Sequence, residues 1–257
     1  YISGETTINW RIEIKGEKHL ILCDGATLNL PKGIQLGSDN TLYIYGQGEG
    51  TGKLIINGVE TGKAGIGGNH WGACGTLVVN GGDINVRGGN DGGSGIGGGA
   101  LGHGGTITIN GGRVTANGSG SSPNGIGGGS VGYLSEIGGN GGTITINGGI
   151  VSANGMGGGY NNNSGTITIA LKNATDRVYS GGYRYENITL DGEFVLEDGT
   201  AATTDNIGWR TVSHKLTITF DGNGGNGTMP SVVRGHGAEY ELPACGFTRE
   251  GYNFVGW

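Results

Sequence analysis

The sequence predicts an all-β chain whose main part is a single-stranded parallel β-helix with three short strands per coil and about five to six coils. First, the phrase Gly-Thr-Ile-Thr-Ile recurs at 105–109, 142–146 and 165–169, with a looser version at 75–79. Second, apolar and polar residues alternate within each phrase, as in a half-buried strand. Third, each of the first two copies continues through Asn-Gly-Gly and a second alternation to Gly-Ile-Gly-Gly-Gly or a close variant. Such repeats must stack on their neighbours to bury their apolar side chains.

The first strand of each coil begins the repeat. Alignment of the copies places these strands at 19–23, 41–45, 76–80, 106–110, 143–147 and 166–170. Because side chains alternate faces along a strand, one side chain of each strand should form an inward apolar column. Its predicted members are Leu42, Leu77, Ile107, Ile144 and Ile167. The opposite, outward face should carry mainly threonine.

The second and third strands complete the coil. Second strands are predicted at 26–30, 53–57, 83–87, 113–117 and 150–154. Third strands centre on a single apolar residue among glycines, namely Ile34, Ile66, Ile96, Ile126 and Met156. Glycine there favours a tight internal corner over a phosphate-binding loop, because no helix pattern and no nearby lysine follow. The repeated Asn-Gly turns could also stack and form hydrogen bonds along a column.

Composition restricts the partners. The 257 residues carry a net charge of −6 with 14% charged residues, and no run of Lys or Arg occurs, so nucleic acid and anionic membranes are not expected partners. Three widely spaced cysteines imply no disulfide framework, and no metal or cofactor is expected. The chain lacks a transmembrane run and a signal peptide. We expect it to be a fragment of a larger, secreted or surface-exposed bacterial protein, and we assume a monomer.

Two family resemblances support this location. Residues 41–163 resemble the glycine-rich repeat proteins of gut anaerobic bacteria, which are generally taken for parallel β-helices. We expect a right-handed helix, because that hand is the prevalent one. The stretch 216–225, with Met229-Pro230, Leu242-Pro243 and 247–257, resembles the Listeria–Bacteroides repeat, also called the internalin B-type repeat. That resemblance implies a small β-grasp-like spacer module of bacterial surface proteins, here truncated. The predicted organisation is N-terminal cap strands at 1–18, the β-helix with its closing strands at 19–212, and the partial module at 213–257.

Candidate binding residues lie on the turn between third and first strands. Successive coils place aromatic and polar residues on this edge about 4.8 Å apart. The predicted strip comprises His70, Trp71, His103, Tyr133, Glu136, Tyr160 and Asn161. Aromatic faces with amide and carboxylate acceptors suit sugar rings, so we expect a glycan ligand and a non-catalytic adhesion or display function. Packing of these aromatics against the stack is the competing interpretation.

Three other functions compete with glycan binding. A β-helical polysaccharide hydrolase or lyase needs converging carboxylates, whereas Asp91 and Glu136 lie on different turns. Glu136 with His103 is the one pair that could act as an acid and a base. A threonine grid resembles the ice-binding face of some β-solenoids, but Tyr43 and Val78 interrupt it. A purely structural stalk would need no binding residues. No catalytic residue and no metal site is therefore predicted.

Overall fold

The computed structural model describes residues 1–120, 124–130, 137–162, 165–184 and 187–257. Its regular elements are all β-strands, which confirms the all-β prediction. Within these residues there is no helix that could cross a lipid bilayer.

The strands of the stacked part are short, as the repeat predicts. In chain order they are β1 (Glu5–Thr7), β2 (Ile12–Glu13), β3 (Glu17–Leu22), β4 (Thr27–Asn29), β5 (Ile34–Gln35), β6 (Thr41–Gly46), β7 (Lys53–Ile56), β8 (Ile66–Gly67), β9 (Thr76–Val79), β10 (Asp83–Arg87), β11 (Ile96–Gly97), β12 (Thr106–Ile109), β13 (Arg113–Asn117), β14 (Ile126–Gly127), β15 (Thr143–Ile146), β16 (Ile150–Ala153), β17 (Met156–Gly157), β18 (Thr166–Ile169), β19 (Arg177–Ser180), β20 (Tyr183–Arg184), β21 (Asn187–Leu190) and β22 (Thr211–Ser213). The C-terminal module holds β23 (Lys215–Ile218) and β24 (Val232–Gly235).

Every third strand joins the same sheet. The first sheet runs β3-β6-β9-β12-β15-β18-β21, the second β1-β4-β7-β10-β13-β16-β19-β22, and the third β2-β5-β8-β11-β14-β17-β20. Neighbours are parallel in all three sheets, apart from the antiparallel pair β19–β22. This is the predicted parallel β-helix. The described residues give seven strands in the first and third sheets, because the coils extend past the recognisable repeat at both ends.

The inward columns confirm the predicted core. Leu42, Leu77, Ile107, Ile144 and Ile167 pair in consecutive register along the first sheet. Each is at most 2% exposed. The third-strand column of Ile34, Ile66, Ile96, Ile126 and Met156 is likewise aligned and buried. Aliphatic side chains from all three sheets therefore fill the interior, and the hydrophobic effect holds the coils together.

Glycines let the coils approach at the third sheet. Gly67, Gly97, Gly127 and Gly157 follow the buried third-strand residues, with φ between 113° and 138°. A Cβ on Gly97 would lie 1.9 Å from the carbonyl oxygen of Gly127, and Gly67 and Gly127 are equally crowded by the next coil. These glycines are buried, so the predicted tight internal corner is confirmed and the bare backbone is not an open surface.

A column of asparagines forms a ladder after the first strands. The Asn110 side-chain amide donates to Oδ1 of Asn80 (2.9 Å), and Asn147 donates to Oδ1 of Asn110 (2.8 Å). The predicted hydrogen bonding between stacked asparagines is confirmed for these three. The left-handed conformation of the turn lies on the second glycine of each Asn-Gly-Gly, Gly82, Gly112 and Gly149.

The N-terminal segment continues the stack in register. β1 pairs with β4, β2 pairs with β5, and Ile2 bridges to Leu22. The strand β3 starts at Glu17, so His19 pairs with Tyr43 and not with Thr41 as the alignment predicts. The register prediction was wrong by two residues. Since side chains repeat with period two, such a shift keeps the inward face unchanged and leaves no signal in the hydrophobic pattern.

The other end closes with a reversal of strand direction. After β21, Phe194, Leu196, Ile207 and Val212 are buried against the last coils. The small module follows directly, with β23 and β24 antiparallel and an isolated bridge between Asn226 and Thr248. Its backbone is joined to this closing segment by Gly235 N–H, which donates to the carbonyl of Glu197 (3.4 Å).

Replacing Ile107 by Asp should unfold the stack. A carboxylate would then enter a column with no exposed surface and no cationic partner, which should cost at least about 4 kcal/mol of unfolding free energy. The neighbouring Thr108→Asp places the same group on the outer face and should cost about 1 kcal/mol or less. Urea denaturation of both variants checks this, and equal losses would refute the inward assignment.

Replacing Gly97 by Ala should be among the most damaging methyl additions in the chain. The new Cβ would overlap the carbonyl of Gly127, and φ of 135° is unfavourable for alanine. We expect a loss of about 3 kcal/mol or more in unfolding free energy. Gly48, whose Cβ would meet nothing within 4 Å, is the control, and Gly48→Ala should stay within about 0.5 kcal/mol of wild type.

Candidate functional site

The turn from the third to the first sheet forms a stacked corner. Trp71 N–H donates to the carbonyl of Ala100 (2.8 Å), and Leu101 N–H donates to the carbonyl of Ser130 (3.0 Å). Trp71, Leu101 and Asn161 have φ of 60°, 64° and 54°. The left-handed region costs about 1–2 kcal/mol for a residue with a Cβ, and asparagine tolerates it best. A tryptophan there is unusual, because it is bulky and, unlike asparagine, has no short polar side chain that could offset this cost by a local hydrogen bond.

His70 and Trp71 form an aromatic platform at this corner. Their rings stack with centroids 4.3 Å apart and planes 10° from parallel. Trp71 is 71% exposed, so most of its indole faces solvent. His70 is exposed too and contacts Gly62, where a Cβ would approach the imidazole ring to 3.2 Å. The stacked pair therefore presents a flat apolar surface with a polar edge, which we call the His70–Trp71 platform.

The base of the platform is held by side chains from other coils. The guanidinium of Arg11 donates to the carbonyls of Lys32 (3.0 Å) and Ala64 (2.9 Å), and more weakly to those of Gly67 and Gly68. Burial lowers the pKa of Arg11 to about 10, while the negative charge of Glu60 opposes that shift. Asn69 donates its side-chain amide to Oε1 of Gln35 (3.0 Å). These bonds fix the backbone just before His70, so the platform stands on an ordered support.

The other predicted strip residues are placed elsewhere on the corner. In the column that contains His70, the next two coils contribute Ala100 and Ser130, both buried, and only the coil after them contributes Tyr160. Tyr160 thus lies three coil spacings, about 14 Å, from His70. It is half-buried, and Asn161 beside it is exposed. The structure therefore brings His70 and Trp71 together, and among the described residues of their column no aromatic ring lies between His70 and Tyr160.

His103 has a hydrogen-bonding role of its own. Its Nδ1 accepts from the backbone N–H of Asn140 (2.9 Å), which requires Nδ1 to be unprotonated. The side chain is exposed and follows Leu101 by two residues along the turn. Tyr133 and Glu136 lie outside the described residues, as does the predicted couple of Glu136 with His103.

The sequence alignment missed a second aromatic cluster, on the outer face of the first sheet. His19 stacks on Tyr43, with ring centroids 4.8 Å apart and planes 6° from parallel, and lies 5.8 Å from the Tyr45 ring. His19 Nδ1 is 3.2 Å from the Tyr45 hydroxyl, and Nε2 is 3.2 Å from a carboxylate oxygen of Glu17. This cluster could have been found from the sequence by shifting the alignment of the His19 strand by two residues, which brings His19 opposite Tyr43.

One acidic group on the described residues serves the fold. Asp176 is the one buried carboxylate in this part of the chain. One of its oxygens accepts from Gly149 N–H (2.9 Å), and the other accepts from Asn173 N–H (2.7 Å). Among the same residues no group of three or more His, Cys, Asp or Glu side chains could hold a metal ion.

Comparison with known proteins identifies the C-terminal module. The family model of the Listeria–Bacteroides repeat domain matches residues 216–257, as the sequence predicts for this segment. No curated protein and no solved structure matches the chain. The relation of residues 41–163 to glycine-rich proteins of gut anaerobes stays a prediction. Because this repeat is typical of surface or secreted bacterial proteins, it suggests that the chain is a bacterial surface-associated domain.

Proposed function

We propose that the chain is a non-catalytic, surface-displayed β-helix that binds carbohydrate through the His70–Trp71 platform. The observation that carries the proposal is the 71% exposure of Trp71, stacked on His70 and held in a left-handed conformation on an ordered corner. Strained backbone of this kind costs stability and is commonly associated with functional sites. The Listeria–Bacteroides repeat would attach this helix to the rest of a surface protein.

The chemistry of the platform suits a sugar ring. An indole offers a large apolar face, and its N–H and the imidazole nitrogens offer polar groups at the edge. A pyranose has the matching arrangement, with C–H groups on its face and hydroxyls around its rim. A single platform buries little area, so affinity should be weak, with dissociation constants of about 10 µM to 1 mM.

A purely structural stalk is the second candidate. Its support is the filling of the corner by backbone and small buried residues, including Ala100 and Ser130, between the platform and Tyr160. On a stalk, no exposed aromatic residue would be a specific binding site. The two proposals therefore differ in whether loss of Trp71 weakens glycan binding more than loss of another exposed tryptophan does.

Replacing Trp71 by Ala should abolish glycan binding at the His70–Trp71 platform and leave the fold intact. The removed indole is mostly in solvent, so stability should change by less than about 1 kcal/mol. A glycan array followed by titration calorimetry of the best ligand measures the loss, which we expect to exceed tenfold. Trp209 is the matched control, because it has the same 71% exposure and a similar φ of 61° at another position in the chain.

Two outcomes would overturn the proposal. An array on which the intact chain retains no glycan would remove carbohydrate binding at this platform. Equal losses of glycan affinity in Trp71→Ala and Trp209→Ala would show non-specific binding by exposed indoles, which favours the stalk.

Replacing Trp71 by Gly separates strain from function. Glycine adopts φ of 60° without steric cost, and this gain should offset the lost stacking on His70, so the free energy of unfolding should stay within about 1 kcal/mol of wild type or rise. Binding should be lost as in Trp71→Ala. Chemical denaturation together with the same calorimetry checks both parts. A loss of more than about 2 kcal/mol would mean that Trp71 is held for packing.

A further inference from the structure

The outer face of the first sheet carries regular threonine columns, in which Thr106, Thr143 and Thr166 are exposed. Thr76, Thr106, Thr143 and Thr166 occupy one column in consecutive register. Thr108, Thr145, Thr168 and Thr189 occupy the next. Successive members of a column are about 4.8 Å apart, which is the spacing of paired strands. Hydroxyl groups therefore repeat at constant intervals along the helix axis.

One end of this face is aromatic. His19, Tyr43 and Tyr45 form a three-ring cluster, with Tyr43 and Tyr45 centroids 6.4 Å apart. The His19 side chain is 49% exposed, and both tyrosines are half-buried. Tyrosine combines an apolar ring with a hydroxyl that donates and accepts. The cluster continues the second threonine column, because Tyr43 pairs with Val78 and Val78 with Thr108.

The asparagine ladder borders the same face. Asn80 follows Tyr45 in its column, since Asn80 N–H donates to the carbonyl of Ile44 (2.8 Å) in the preceding coil. Within the ladder each contact uses one amide N–H and one carbonyl oxygen. Each side-chain amide has two N–H groups, so further donors stay on these exposed side chains for a ligand.

The charge of the face selects the occupant. Its outward side chains between Tyr43 and Thr168 are neutral, and its ionisable groups, Glu17 with His19 and Asp191, are at the two ends. The whole chain carries a net charge of −6. An anionic polymer would gain no ion pair here and would be repelled by the net negative charge, whereas a neutral polymer of hydroxyl groups would meet no electrostatic repulsion.

We infer that this face is a second carbohydrate-binding surface, which takes an extended neutral polysaccharide lying along the helix axis. One sugar ring would rest against the His19–Tyr43–Tyr45 cluster, and the following sugars would meet threonine hydroxyls and Asn80 and Asn110 amides. A pyranose in an extended β-1,4-linked chain advances by about one coil spacing and successive rings are turned by about half a revolution, so every second sugar meets equivalent groups on every second coil. Many weak contacts then act together on one chain.

The inference extends the proposed carbohydrate function to a different surface and does not depend on Trp71. The two surfaces use different residues, one at a corner and one on a sheet face. Either could bind without the other, so variants on each test them separately.

The test is affinity electrophoresis of the full chain in gels that contain glucomannan or hydroxyethyl cellulose, both neutral and β-1,4-linked, or polygalacturonate, which is anionic. Tyr43→Ala should weaken retardation by the neutral polymers about tenfold, and Asn110→Ala should weaken it severalfold. Thr145→Arg, which places a long side chain in the middle of the face, should block it. Polygalacturonate should retard none of these proteins.

Tyr179→Ala is the matched control, because Tyr179 is a half-buried residue of β19 in the second sheet, whose side chain points outward from another face. It should bind like wild type, and thermal melts of all variants report folding. In a Trp71→Ala background, binding to the neutral polymers should persist and should be lost on adding Tyr43→Ala. Absence of any retardation of wild type, or unchanged binding in both Tyr43→Ala and Thr145→Arg, overturns the inference. Binding lost in Trp71→Ala alone would leave the corner platform as the carbohydrate site.

Discussion

The structure depends on how closely consecutive coils approach one another. Parallel strands pair only when their backbones lie within hydrogen-bonding distance, and at the third sheet this distance leaves no room for a methyl group. The glycine column through Gly67, Gly97 and Gly127 meets that constraint. With backbones in contact, the inward isoleucines, leucines and valines of neighbouring coils also touch, so backbone pairing and apolar burial support each other. The abundance of glycine thus accompanies order here and not disorder.

Variation is confined to the connections between strands. The core columns keep their register through every described coil, while the turns from third to first sheet differ in length and content. In this arrangement a turn can acquire a tryptophan or a histidine without disturbing the interior. The corner that carries the His70–Trp71 platform is such a turn. Its left-handed positions are shared between coils, but only one of them bears an exposed aromatic ring among the described residues.

The repeat predicts the interior well and the surface less well. Alternation and spacing identify the inward residues, the glycine corner and the asparagine ladder, because all three follow from period two and constant strand length. The pairing of His19 with Tyr43 could not be read, since a shift by two residues preserves alternation. Which side chain each corner carries could not be predicted for another reason. Period two and strand length do not determine the content of a turn, and in the column of His70 the described residues before Tyr160 are the buried Ala100 and Ser130.

Arg11 has a mechanical consequence for a protein that would project from a cell. The first coil is attached to its neighbour by strands of only a few residues, and tension along the axis would peel such a coil away before longer ones. The guanidinium donates to the Lys32 carbonyl in the adjoining coil and also to the Ala64 carbonyl in the coil beyond it. Detaching the coil that contains Arg11 therefore requires breaking bonds to two other coils together, which distributes a pulling force over both of them.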